Sequence, residues 1–158
     1  MNRYVDCDES LVETFLNVVE ERFPSYINLK VKLIFDLKKR IKNGAITLAS
    51  IEMTNDKIKF FSKDNVAVDG YDYVLIVDKK AWELSDQDDR ARLISHELQH
   101  IEIDEKGNPK LRGHELEDFY DEVARNTTKP SWKRDLAVMV EASYDLEKEP
   151  KTKYIKAK

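Results

Sequence analysis

The apolar residues change their period partway along the chain. Between positions 31 and 77 they alternate or run together as β-branched and aromatic residues, and from Ser85 onward they recur every three or four positions. The two patterns belong to different backbones, because a strand turns every second side chain to one face and a helix every third or fourth. A helix is predicted ahead of the strands over 8–22, where Leu11, Phe15, Val18, Val19 and Arg22 share helical spacing and Asp8 or Ser10 supplies the cap. Phe23-Pro24 ends it. Strands are predicted over 31–37 (Val31, Leu33 and Phe35 on one face), 45–53, 57–61 and 71–77, with turn signals at Asn43-Gly44, Asn55-Asp56 and Asp69-Gly70. Ser85 is positioned to cap a second helix running to about 104, and Gly107-Asn108-Pro109 makes a turn. A third helix is expected over 113–125, with Leu116, Phe119, Tyr120 and Val123 as its apolar stripe, and a fourth from 131 to about 146 after Pro130. A helix, then strands, then helices predicts an α+β fold, with a small, mostly antiparallel sheet packed against helices. The expected organisation is a single domain over 1–146 and a disordered Lys-rich tail over 147–158.

Composition narrows the class. The chain has 158 residues, enough for one domain, and 41% of them are apolar, enough for a real core. A net charge of −4 with both signs interspersed gives no electrostatic case for nucleic acid. No apolar run approaches the length of a membrane span. Cys7 is the sole cysteine, so no internal disulfide forms, and the polar, acidic first ten residues do not look like a signal peptide. A cytoplasmic location is expected.

The second predicted helix carries His96-Glu97-Leu98-Gln99-His100. Residues four apart on a helix differ by about 40° in azimuth and about 6 Å in rise, so the two imidazoles can converge on one ion. Glu97, about 100° round from His96, reaches a water on that ion more readily than the ion itself, the position of a general base. Ala91, Ile94, Leu98 and Ile101 form a separate stripe that leaves the histidines on another face, and the chain's three histidines all lie within 94–115. Catalytic zinc usually has three protein ligands and one open position. Glycine at position 103 and histidine at 106 would make the extended metzincin pattern, but the chain has Ile103 and Lys106. Asp104 lies too far along an unbroken helix. His114 is the strongest third ligand, brought back by a helix–turn–helix, with Glu115, Glu117 and Glu122 as alternatives. Asp118, one turn after His114, is a candidate to accept the second N–H of His100 or His114. The strand at 71–77 is expected to pair its edge with substrate backbone, with an interior position as the competing view. Tyr71, Tyr73, Tyr120 and Arg112 are candidate oxyanion donors.

Several segments taken together resemble a known family. They are Tyr71-Asp72-Tyr73-Val74-Leu75-Ile76, Ala81-Trp82, the run from Arg90 through His100, and His114-Glu115-Leu116-Glu117-Asp118-Phe119. Their order and spacing over about 45–125 resemble the putative phage metallopeptidase family, small proteins of phages and their bacterial hosts. The resemblance implies a zincin-like fold and a zinc site, and little about substrate. Asp commonly follows the family's third histidine; here it is Glu115, which bears on position 115 and not on His114. The function expected is hydrolysis of peptide bonds in a peptide or protein by a metal-activated water, with Glu97 as base and Zn2+ as cofactor. The alternative is a non-catalytic phage accessory protein with a structural zinc, which a fourth ligand such as Glu117 or Asp104 would mark. Cleavage of DNA-bound proteins has no support from the charge, and no cysteine zinc ribbon is present.

Overall fold

The computed structural model describes residues 2–115 and 117–148. They fall into two compact units, Met1–Gly113 and His114–Lys158.

The first unit opens with a short strand, β1 (Tyr4–Asp6), and the helix α1 (Glu9–Arg22). Asp8 is the cap: its carboxylate accepts the Leu11 N–H at 3.1 Å. Ser10 serves another element, accepting a hydrogen bond from the Trp82 indole at 2.9 Å. Strand β2 (Val31–Asp36) follows, then a hairpin of β3 (Ile41–Lys42) and β4 (Ala45–Ile46). Asn43 and Gly44 turn it with φ of 52° and 78°, the left-handed pair that tight hairpins require. The predicted strand at 45–53 is therefore broken, and only β5 (Ala49–Met53) joins the main sheet. The extended segment predicted at 57–61 is instead the helix α2 (Asp56–Phe61), capped by the Asn55 side chain on the Ile58 N–H at 2.9 Å. Gly70, at φ 89°, closes the next loop against α2; a Cβ there would lie 1.9 Å from the Lys59 carbonyl oxygen.

The unit continues with β6 (Tyr73–Asp78), α3 (Lys79–Leu84), α4 (Gln87–Gln99), β7 (Ile101–Ile103) and β8 (Pro109–Leu111). The main sheet has the order β1-β2-β6-β5. It is mixed: β2 and β6 run parallel from Val31↔Tyr73 to Asp36↔Asp78, and the other two pairs are antiparallel. One face of the sheet, with Val31, Leu33, Phe35, Ala49, Ile51, Tyr73, Leu75 and Val77, packs on Leu11, Val18 and Val19 of α1, Trp82 of α3, and Ile94 and Leu98 of α4. Each such buried aliphatic side chain contributes roughly 1.5–3 kcal/mol. This core fixes the α4 backbone from beneath.

Two boundaries on α4 differ from expectation. Asp86 caps it, through the Asp89 N–H at 2.8 Å, while Ser85 terminates α3, which the sequence reading did not include. The helix stops at Gln99 with His100 as its last cap, and does not run to 104. Residues 101–103 turn instead into the β7–β8 hairpin, where Ile101 faces Leu111 and Ile103 faces Pro109.

In the second unit the helix expected over 113–125 is confined to α5 (Tyr120–Arg125), and Phe119 and Tyr120 are exposed. Leu116, part of the predicted stripe, lies outside the described residues. The last helix, α6 (Trp132–Lys148), extends over the first two positions of the expected tail; 149–158 lie outside the described residues. No helix among the described residues is long and apolar enough to cross a membrane.

Candidate metal centre

Helix α4 is amphipathic in an unequal way. Ile94 and Leu98 are fully buried, whereas His96 is exposed and His100 half-buried. Their rings sit 5.3 Å apart, nearly perpendicular at 79°. Arg90 anchors the start of the helix by donating to the Trp82 carbonyl at 2.8 and 3.0 Å, with its guanidinium 4.7 Å from the Trp82 ring centre.

Glu97, between the two histidines, is only 5% exposed. Burial pushes its carboxyl above the usual carboxylate range; the positive potentials of His100 and Arg40 and a hydrogen bond from the Ile51 N–H pull the other way. That hydrogen bond follows from the ladder. Asp78 N–H donates to the Leu48 carbonyl and Thr54 N–H to the Asp72 carbonyl, so the even positions of this segment bond toward β6. Ile51, an odd position, turns its N–H away from β6 and onto Glu97. Strand β5 is thus an edge of the sheet beside α4. Strand β6 lies between β2 and β5 with both edges paired, so the substrate-pairing role expected of 71–77 is corrected: the segment is an interior strand.

His100 is oriented by main chain. Its Nδ1 lies 2.8 Å from the Arg112 carbonyl oxygen, and the Arg112 N–H donates to the His100 carbonyl at 2.8 Å. A carbonyl can only accept, so Nδ1 carries the proton and Nε2 presents its lone pair. Asp118 is the partner expected for His100 or His114; for His100, the carbonyl of Arg112 lies at that 2.8 Å distance. Asp118 accepts from the Phe119 N–H at 2.9 Å and lies 3.7 Å from the Lys133 ammonium. Arg112 also donates to the Gln99 carbonyl at 2.7 Å and to the Gln99 side-chain oxygen at 2.8 Å, covering the C-terminal end of α4.

A hairpin, not the expected helix–turn–helix, connects His100 to Arg112. Asp104 is consumed in its loop, where it accepts the N–H groups of Lys106 and Asn108 at 2.9 and 2.8 Å; these bonds hold its carboxyl below the ordinary range. Two phenols fasten the strands: Tyr26 donates to the Ile101 carbonyl at 3.1 Å, and the Tyr73 hydroxyl lies 2.8 Å from the Lys110 carbonyl and 3.3 Å from that of Glu102. The Tyr71 hydroxyl donates to Asp64 at 2.8 Å. The Tyr71 hydroxyl is thus engaged by a loop and that of Tyr73 by the hairpin strands, so neither is offered as an oxyanion donor, and burial pushes both phenols up to about 12.

His96 and His100 offer ring nitrogens from one turn at the end of α4, a pair that could begin a metal site, and His114 is the first residue of the second unit. Of the other residues considered as ligands, Glu117 lies 3.9 Å from the His114 Nδ1, Glu115 lies 3.8 Å from Arg134, and Glu122 makes a 3.5 Å contact with Asn126. The burial of Glu97 and the carbonyl behind His100 were both missed from sequence, because each depends on a strand or hairpin packed from elsewhere.

Comparison with known families matches residues 5–144 to the family described as putative phage metallopeptidase. No curated protein and no solved structure matches.

Proposed function

From the premise that the chain belongs to that metallopeptidase family, we propose that it is a zinc-dependent peptidase, with His96, His100 and His114 as ligands and Glu97 as general base. The observation that carries the reading is a buried carboxylate on the same helical turn as two imidazoles, beside the edge strand of a sheet. The donors suit the metal, since neutral imidazole nitrogens are favoured by zinc. Held by these residues, zinc would supply Lewis acidity toward a scissile carbonyl and would lower the pKa of water.

The chain's own residues do the rest. Glu97 takes a proton from the attacking water and returns it to the leaving amine. The Ile51 N–H keeps the carboxylate aimed while a substrate peptide runs along β5, the edge adjacent to it. The family match spans residues 5–144, which supports treating 1–146 as one functional domain.

One observation favours the non-catalytic alternative: Glu117 is close enough to His114 to be a fourth ligand after a side-chain rotation. Asp104, the other candidate for that position, is engaged in the hairpin loop. The deciding experiment combines elemental analysis with turnover of a quenched fluorescent peptide library. Wild type should carry one zinc, His96→Ala should carry none, and Glu97→Gln should keep the zinc while losing about 10²–10⁴-fold in rate. A wild-type protein that takes up no zinc ends the proposal; unaltered turnover by Glu97→Gln removes Glu97 as base.

A further inference from the structure

The β7–β8 hairpin sets the direction of the His100 ring, because the carbonyl that receives the Nδ1 proton belongs to Arg112, the residue that follows β8. His100 and Arg112 face each other across its base, joined by the Arg112 N–H to the His100 carbonyl and by the ring contact, both 2.8 Å. If the second strand slides or lifts, the Arg112 carbonyl leaves the ring. The hairpin has little to hold it in place by itself. Its strands have three residues each, and only Ile101 of their large aliphatic residues enters the core, Ile103 and Leu111 being exposed. A two-stranded ribbon of that size is marginal in water.

The fastening comes from the sheet core. Tyr73 is fully buried at the start of β6, paired to Val31 on one side and Met53 on the other, so its ring cannot move. Its hydroxyl reaches the paired residues Glu102 and Lys110 from beneath, and the shorter contact, 2.8 Å, is to the second strand, two residues before Arg112. We infer that Tyr73 is a positioning residue for the metal centre: it fixes the hairpin through the Lys110 carbonyl, and so holds the Arg112 carbonyl against His100 Nδ1. A buried phenol must find an acceptor, and this one finds it in the only segment that joins His100 to its orienting group. The inference rests on His100 being a zinc ligand, as proposed above.

Tyr71→Phe is the matched control. Tyr71 is also buried and on the same stretch of chain, but its hydroxyl holds Asp64, in a different loop. Three measurements separate positioning from stability: zinc competition against a chromophoric chelator, the visible spectrum of the cobalt-substituted protein, and the His100 tautomer in the metal-free protein by nitrogen NMR. Tyr73→Phe should weaken zinc about 10–100-fold, as loss of an outer partner does. It should also alter the cobalt bands and remove the fixed Nδ1–H signal. Tyr71→Phe should leave all three at wild-type values, even where its melting temperature falls as far. If Tyr73→Phe does not fold, Tyr26→Phe tests the same device from the first strand, through the Ile101 carbonyl next to His100. The inference is overturned if the substitution tested matches wild type in all three measurements, or if Tyr71→Phe shifts them as much as Tyr73→Phe. Including His96→Ala keeps the two readings apart. If that variant binds zinc like wild type, the proposed ligand set fails; if it loses zinc while Tyr73→Phe does not, only the role of Tyr73 fails.

Discussion

Asp36→Asn should be one of the most damaging single-atom-scale changes in the first unit, and its cost should depend on pH. Asp36 is 1% exposed at the end of β2. Its carboxylate accepts two hydrogen bonds from Arg3, at 3.1 and 3.0 Å, and one from the Lys38 N–H at 2.9 Å, and it lies 3.2 Å from Arg40 Nε. Arg40 in turn reaches Ser50 on β5 at 2.7 Å and the Ile76 carbonyl on β6, so one carboxylate links three strands. Asparagine keeps an acceptor for Lys38 but removes the charge facing two guanidiniums. Breaking a fully buried pair costs about 3–5 kcal/mol. Arg3 is 41% exposed, so water screens part of its share, and about 2–3 kcal/mol remains. For a chain of this size that is about 4–12 °C in Tm. The hydrogen bonds from Arg3 lead the effects that hold the Asp36 carboxyl below its ordinary range, with Lys38 and Arg40 adding to them. A lowered acid pKa means that the stabilisation is complete above the unfolded carboxylate pKa of about 3.9 and is lost as pH falls through the folded value. Urea titrations at pH 7 and at pH 3 should therefore show the gap between wild type and variant narrowing in acid. A gap below about 1 kcal/mol at pH 7, or one equally large at both pH values, would refute the argument.

Other outcomes are also specific. His114→Ala should weaken zinc far more than Glu115→Ala, Glu117→Ala or Glu122→Ala, with Asp118→Ala in between at about 10–100-fold; chelator competition ranks the five, and a glutamate variant at the top would point to a two-histidine, one-carboxylate site. Gly70→Ala should destabilise by about 1–3 kcal/mol in urea, from positive φ and from collision with the Lys59 carbonyl, and a neutral result would show that this loop can move away from α2. Leu98→Ala, a fully buried change beside Glu97, should cost about 2–5 kcal/mol in the same assay, and a value under 1 would mean that α4 is not seated on the core as described.

The elements that could be read in advance are those whose signal is local. Asp8 three residues before a backbone N–H, the alternation of Val31, Leu33 and Phe35, and Asn43-Gly44 between two short strands each specify their own backbone. Helix α2 was misread because six residues give no usable period and Phe60-Phe61 favour strands; its real signal was the Asn55 cap. The end of α4 was misread because no glycine or proline marks it.

The sequence by itself determined that His96, Glu97 and His100 share a helical turn, since a spacing of four is a property of one helix and needs no partner. It also determined which stripe of that helix must face the core. Tertiary structure alone decided the rest: that β2 and β6 run parallel, that β5 and not β6 is the sheet edge, that Glu97 is buried against Ile51, and that a hairpin held by Tyr26 and Tyr73 directs His100. The physical reason is range. Tyr26 and Ile101 are 75 residues apart, and a hydrogen bond across that distance is fixed by how the whole core packs, not by any pattern along the chain.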